Sequence, residues 1–240
     1  MHNEESSTQE SKIIVALDFD DLSKAKTLVS KLDPNLCKLK VGKEMFTLFG
    51  PDWVRYLVEK EFQVFLDLKF HDIPNTVAKA CKAAAQLGVW MVNVHASGGV
   101  KMMQAAVESL NSLGGNRPLL TGVTILTSMD KHQFDQIGYQ RDIESQVSHF
   151  AQMAESAGLD GIVCSALEAE MLRKEIGKEF KLVTPGIRPV GSDQGDQSRV
   201  MTPERALNAG ANYLVIGRPI TQAEDPLSAL CEISESVASL

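Results

Sequence analysis

Eight short apolar or β-branched runs recur along the 240-residue chain with longer amphipathic stretches between them, and this alternation constrains the fold more than any other feature. It is the signature of βαβ units, in which parallel strands are joined by helices that cover the sheet. The expected strands are Ile13 to Asp18, Leu36 to Val41, Gln63 to Asp67, Trp90 to His95, Leu119 to Ile125, Gly161 to Cys164, Lys181 to Thr184 and Tyr213 to Ile216. Helices with capping signals are expected over Asp21 to Lys31, Thr76 to Leu87, Val100 to Leu110, Asp142 to Ala157 and Pro226 to Val237. Gly88, Gly158 and Gly210 fall just past helical runs, where a left-handed residue ends a helix.

Eight strand and helix pairs without a linker or a break in composition point to one closed (β/α)₈ barrel, an α/β fold occupying residues 12–240. Barrels of this kind run to roughly 250 residues as a single domain. An open doubly wound sheet is the competing architecture. It usually carries a glycine fingerprint after its first strand, and here that strand runs into Leu17-Asp18-Phe19-Asp20-Asp21 with no glycine.

Charge and cysteine usage narrow the functional classes. Lys and Arg number 24 against 31 Asp and Glu, a net charge of -7 that argues against a large basic surface for nucleic acid. A few converging cations can still bind a small anion in one pocket. Cys37, Cys81, Cys164 and Cys231 are widely spaced, with no C-x-x-C pair and no Cys/His cluster for a metal, and read as apolar residues of a reducing compartment. Residues 1–11 form a polar, acidic tail expected to be disordered, without the apolar core of a secretory signal. No apolar run approaches the roughly 20 residues that span a bilayer. The expectation is a cytoplasmic protein with neither a membrane nor a nucleic-acid partner.

In a barrel the strand ends and the loops after them form the active site, so charges there draw attention. Asp18 ends the first expected strand, Lys40 lies near the end of the second, Asp67 ends the third and His95 the fourth. The densest cluster is Asp67-Leu68-Lys69-Phe70-His71-Asp72. Residues i and i+2 of an extended segment point the same way, so Asp67 and Lys69 are expected to face one cavity. Charges in a barrel mouth are costly to desolvate unless they pair with each other or with a ligand. A structural ion pair is the plain alternative for this segment, a solvated tip for Lys40, a helix N-cap for Asp18 and a loop hydrogen bond for His71 and His95. At the far end of the chain, Thr184-Pro185-Gly186-Ile187-Arg188 leads into a polar loop, Val190 to Arg199, and the last strand runs into Gly217-Arg218. Loops after strands seven and eight are the usual phosphate site of such barrels, and a glycine followed by a forked arginine suits that role.

The segment Asp67-Leu68-Lys69-Phe70-His71-Asp72-Ile73-Pro74-Asn75-Thr76 fits the D-x-K-x-x-D-I-P-x-T signature completely, and the chain resembles the orotidine 5′-phosphate decarboxylases. Further matches run from Ala16-Leu17-Asp18 through Lys38-Leu39-Lys40-Val41-Gly42, His95-Ala96-Ser97-Gly98-Gly99 and Leu126-Thr127-Ser128-Met129 to Gly217-Arg218-Pro219-Ile220. The resemblance implies decarboxylation of a nucleoside monophosphate, orotidine 5′-monophosphate, to UMP without cofactor or metal. It implies a homodimer in which Asp72 and Thr76 of one chain complete the neighbour's site. Lys69 would be the proton donor, in an alternating array with Lys40, Asp67 and the neighbour's Asp72. Asp18 and the neighbour's Thr76 would contact the ribose, Thr127 and Ser128 the pyrimidine edge, and Gln197, Gly217 and Arg218 the phosphate. Arg188 would sit at the base of the closing loop, with Ile73 and Pro185 also lining the bound substrate.

Two other readings compete. Sugar-phosphate decarboxylases and aldolases of the same barrel superfamily use a similar D-x-K-x-x-D core with magnesium, and an inactive barrel could merely bind a phosphate ligand. The Ile73-Pro74-Asn75-Thr76 continuation and the Thr127-Ser128 pair favour the pyrimidine substrate over the first. A Lys69 held between carboxylates, costly and useless to a sensor, speaks against the second.

Overall fold

The computed structural model describes residues 10–190 and 200–240. Within them the chain alternates β1 (Ile13–Leu17), α1 (Leu22–Val29), β2 (Lys38–Gly42), α2 (Lys43–Glu59), β3 (Val64–Phe70), α3 (Pro74–Ala85), β4 (Met91–His95) and α4 (Val100–Asn111). It continues through β5 (Leu119–Val123), α5 (Lys131–Gln136), α6 (Ile143–Ser156), β6 (Gly161–Val163), α7 (Ala169–Glu175), β7 (Lys181–Thr184) and α8 (Pro203–Asn208). β8 (Tyr213–Ile216), α9 (Arg218–Thr221) and α10 (Pro226–Val237) complete it. Each strand pairs in parallel with the next in chain order and β8 returns to β1, closing the barrel. The open doubly wound sheet is thereby ruled out.

The boundaries follow local chemistry. Asp21 caps α1 by accepting from the backbone N–H groups of Ser23 and Lys24, and Asp142 caps α6 in the same way through Ser145. α3 begins at Pro74, two residues before the expected Thr76, because proline suits the first turn where no N–H is needed. Gly158 and Gly210, with φ of 85° and 105°, follow the caps of α6 and α8 as left-handed terminators. α2 escapes simple periodicity because Gly50-Pro51 interrupts it, with Gly50 at φ 66° and ψ -164° inside the helical run.

Two apolar layers hold the barrel. Inside, Ile14, Ala16, Phe65, Met91, Val183 and Tyr213 pack across the lumen, while the larger outer layer joins strands to helices. All five residues of β1 are buried, as expected of a strand covered on both faces.

Lys38 and Lys40 share the inward face of β2 but reach opposite ends of the lumen. The Lys38 ammonium lies 4.9 Å from the Trp90 ring centre and 5.3 Å from that of Tyr213. It donates to the Ser11 carbonyl at 2.7 Å and stands 3.2 Å from the Glu10 carboxylate, which also accepts from the Tyr213 hydroxyl. Glu10 and Ser11, assigned from sequence to the tail, are thus tied to the barrel floor. Truncating Lys38 removes the buried stem that fills this box. Lys38→Ala is expected to lower the unfolding free energy by about 2–5 kcal/mol and Lys38→Met by much less, since Met keeps the stem volume. Denaturant unfolding of the two variants checks this; equal losses would mean that the charge, not the packing, holds the floor.

Candidate active site

A cavity of about 580 Å³ opens at the C-terminal ends of the strands. The charged side of its wall is built by β1, β2 and β3. Asp67, at 8% exposure, accepts through Oδ1 from the Lys69 ammonium at 2.6 Å, and its Oδ2 lies 3.3 Å from the Lys40 ammonium. Lys40 in turn stands 3.9 Å from Asp18. Four side chains from three successive strand ends therefore form a line of alternating charge, Asp18, Lys40, Asp67 and Lys69.

Burial alone would push the Asp67 carboxyl up, but Lys40 and Lys69, with hydrogen bonds from Lys69 and Asn93, hold it below the usual carboxylate range. Its contribution to stability is present above the unfolded value and is lost as pH falls through the lowered one. His95, at the end of β4, is driven the other way. Burial first, then the proximity of His71, Lys43 and Lys69, pushes its pKa down to about 4, so the ring is neutral at pH 7. Its ring centre lies 5.4 Å from that of His71.

Asp67 and Lys69 reach one cavity, as expected, but not by the alternation of a regular strand. β3 continues to Phe70, and Lys69 adopts a left-handed φ of 54°. Pairing with β4 passes from Leu66↔Val92 to Phe70↔Val94, so four steps on β3 face two on β4. The bulge aims both side chains at the mouth. Asn93, fully buried opposite it, was not among the expected site residues, although a lone amide in the apolar run Met91-Val92-Asn93-Val94 signals a side chain in need of partners.

Other expected residues line the same cavity. Thr127 and Ser128 line it from the turn after β5, and Pro185 and Arg188 from the segment after β7. Arg188 is buried, its guanidinium donating to the Ile187 carbonyl. Ile187 and Met201 pair in an isolated bridge, which joins the chain on either side of residues 191–199. Gly217 and Arg218 line the cavity where β8 turns into α9. Gln197 lies outside the described residues.

Asp72, Ile73 and Thr76 do not line the cavity of their own chain. They stand exposed in the β3–α3 connection and the first turn of α3, with Ile73 at 65% exposure. Asp72 accepts from the Ile73 backbone N–H. Among the described residues the cysteines form no disulfide, and no helix is long and apolar enough to cross a membrane.

Comparison with known proteins places this geometry. The family model described as "Orotidine 5'-phosphate decarboxylase / HUMPS family" matches residues 11–233. A protein of Pseudoalteromonas atlantica named orotidine 5′-phosphate decarboxylase is 62% identical over 230 residues, covering 96% of this chain and 100% of its own. A Vibrio parahaemolyticus protein of the same name is 60% identical over 228 residues, covering 95% and 98%. Among solved structures, orotidine 5′-phosphate decarboxylase from Lactobacillus acidophilus superposes with a TM-score of 0.85 at 38% identity, over 95% of this chain and 99% of that one. An uncharacterized conserved protein from Geobacillus kaustophilus gives 0.82 at 38%, over 94% and 99%.

Proposed function

Because the chain belongs to the orotidine 5′-phosphate decarboxylase / HUMPS family, we propose the following division of labour for its reaction, the decarboxylation of orotidine 5′-monophosphate to UMP and CO₂ that ends UMP synthesis. The chain is a carboxy-lyase. What supports the assignment of residues is the line Asp18, Lys40, Asp67 and Lys69 at the barrel mouth, lining one cavity together with Arg188 and Arg218.

Breaking the bond from C6 to the carboxylate releases CO₂ and leaves the electron pair on an sp² carbon that no adjacent carbonyl delocalises. The ammonium of Lys69 stabilises that developing charge and then gives C6 a proton, and the neutral amine regains one from solvent. Asp67 holds Lys69 in place and meets the substrate carboxylate. Two like charges about 4 Å apart at an effective dielectric near 20 repel by roughly 4 kcal/mol. That is too small to be the main effect, since enzymes lower barriers by roughly 8 to 23 kcal/mol. The fixed ammonium and the binding energy of the phosphate supply the rest.

Lys40 and Asp18 meet the ribose side, Thr127 and Ser128 the pyrimidine edge, and Pro185 the substrate's flank. Gly217 and Arg218, with Gln197, hold the phosphate, and Arg188 anchors the segment after β7. The working unit is a homodimer. Asp72, Ile73 and Thr76, exposed beside the mouth and outside their own cavity, reach into the partner's site and complete the array with Asp72. The protein works in the cytoplasm, whose reducing conditions keep its buried cysteines as thiols.

No step in this scheme needs a metal ion. Purified protein is expected to convert orotidine 5′-monophosphate to UMP at an unchanged rate in excess chelator, followed by ultraviolet absorbance and confirmed by chromatography. Loss of turnover in chelator, restored by magnesium, would sink the metal-free scheme.

A further inference from the structure

Lys69 is a non-glycine residue held at positive φ within a strand, and its backbone N–H faces a gap in the β3–β4 ladder. Left-handed backbone costs such a residue about 1–2 kcal/mol, so something must hold it there. The Asn93 side chain fills the gap. Its Oδ1 accepts from the Lys69 N–H at 2.8 Å, and its Nδ2 donates to Asp67 Oδ1 at 2.7 Å. Asp67 Oδ1 is the oxygen that also accepts from the Lys69 ammonium. One planar amide therefore grips the carboxylate of Asp67 and the backbone of Lys69 at once.

We propose that Asn93 is a positioning residue for the decarboxylation, bridging Asp67 to the main chain of Lys69 across the bulge so that ammonium and carboxylate stay fixed against the reacting carbon. The side-chain type matters. The amide presents its neutral acceptor and its donor on two separate atoms, one for each partner: a carboxylate would turn its oxygens on Asp67, and an apolar residue would leave both the buried N–H and part of the carboxylate without a partner. The amide orientation is fixed by the same logic, since a flipped group would set donor against donor and oxygen against oxygen. Asn93 does not line the cavity, so its influence on the reaction runs through Asp67 and Lys69.

The inference rests on the assignment of Asp67 and Lys69 as reacting groups, and its test separates the two. Asn93→Leu keeps the approximate volume and removes both hydrogen bonds. A misplacement of about 1 Å costs on the order of 10²-fold in rate, so kcat is expected to fall about 10²-fold while KM and the affinity for UMP change less than about threefold. The acid limb of the kcat/KM profile is expected to move to higher pH, because Asp67 loses a donor to its charged form. Asn93→Thr, whose hydroxyl can still donate to Asp67, is expected to recover part of both losses. If Asn93→Leu does not fold by circular dichroism, Asn93→Ala, small enough to admit a water, is read by the same measures. A folded Asn93→Leu or Asn93→Ala protein with kcat within threefold of wild type and an unmoved acid limb overturns the proposal. Lys69→Ala is assayed alongside. Should it retain turnover, the assignment of the reacting groups fails; should it be inactive while the Asn93 variants are normal, only the role of Asn93 fails.

Discussion

Lys69→Ala is expected to abolish decarboxylation, with kcat reduced by about 10⁴-fold or more, while the protein still folds and binds a nucleotide product. Two losses combine in this one substitution. A positioned general acid contributes about 10² to 10⁴ in rate, and a fixed charge aimed at a developing anion about 10² to 10³. In the proposed scheme the Lys69 ammonium supplies both: among the described residues it is the cation hydrogen-bonded to Asp67, through Oδ1 at 2.6 Å, whereas Lys40 stands 3.3 Å from Oδ2. Binding is expected to be spared, because in the proposed scheme the phosphate is held by Gly217 and Arg218, where β8 turns into α9. Asp67 also stays charged in the variant, since Lys40 and the Asn93 amide remain beside it. Calorimetric titration with UMP and an ultraviolet assay on the same preparation separate binding from chemistry. Near-normal turnover would move the proton donor elsewhere.

That the charged residues of the barrel mouth could be named from the chain, and their support could not, follows from how each is encoded. Parallel strands buried on both faces read as apolar runs, so the eight strands, their order and the charges at their ends are visible in sequence. Asp18, Lys40 and Asp67 needed only that. Lys69 was placed in the right cavity for an incomplete reason: the i, i+2 argument assumes an extended strand, whereas the chain bulges and Lys69 turns left-handed. A bulge depends on what the neighbouring strand offers, and the partner that permits it, Asn93, lies 24 residues further along the chain. α2 was obscured by Gly50-Pro51, which breaks the period of an otherwise long helix. The barrel floor was hidden for a similar reason. Lys38 looks like any strand-end lysine until Trp90, Tyr213 and Glu10 converge on it from three distant segments.

Mixing inactive Lys69→Ala and Asp72→Ala proteins is expected to restore activity, and the amount restored is itself diagnostic. Residues 71–76 are all exposed, and Ile73 offers an apolar side chain to solvent next to the mouth. In the proposed homodimer the contacts are reciprocal, so if Asp72 of one chain enters its partner's site, the partner's Asp72 enters the first. In a heterodimer of the two variants, one site then carries both defects. The second pairs the intact Lys69 of the Asp72→Ala chain with the intact Asp72 of the Lys69→Ala chain. Random re-pairing puts about half of the dimers in the mixed form with one of two sites intact, so about a quarter of wild-type activity returns from two preparations that have almost none. Sites confined to single chains would give no rescue at all, because every chain in the mixture would still carry its own defect. Subunit exchange must be demonstrated separately, by differently tagged chains recovered together. With exchange shown and activity still absent, Asp72 would act within its own chain, and the exposure of residues 71–76 would need another partner to explain it.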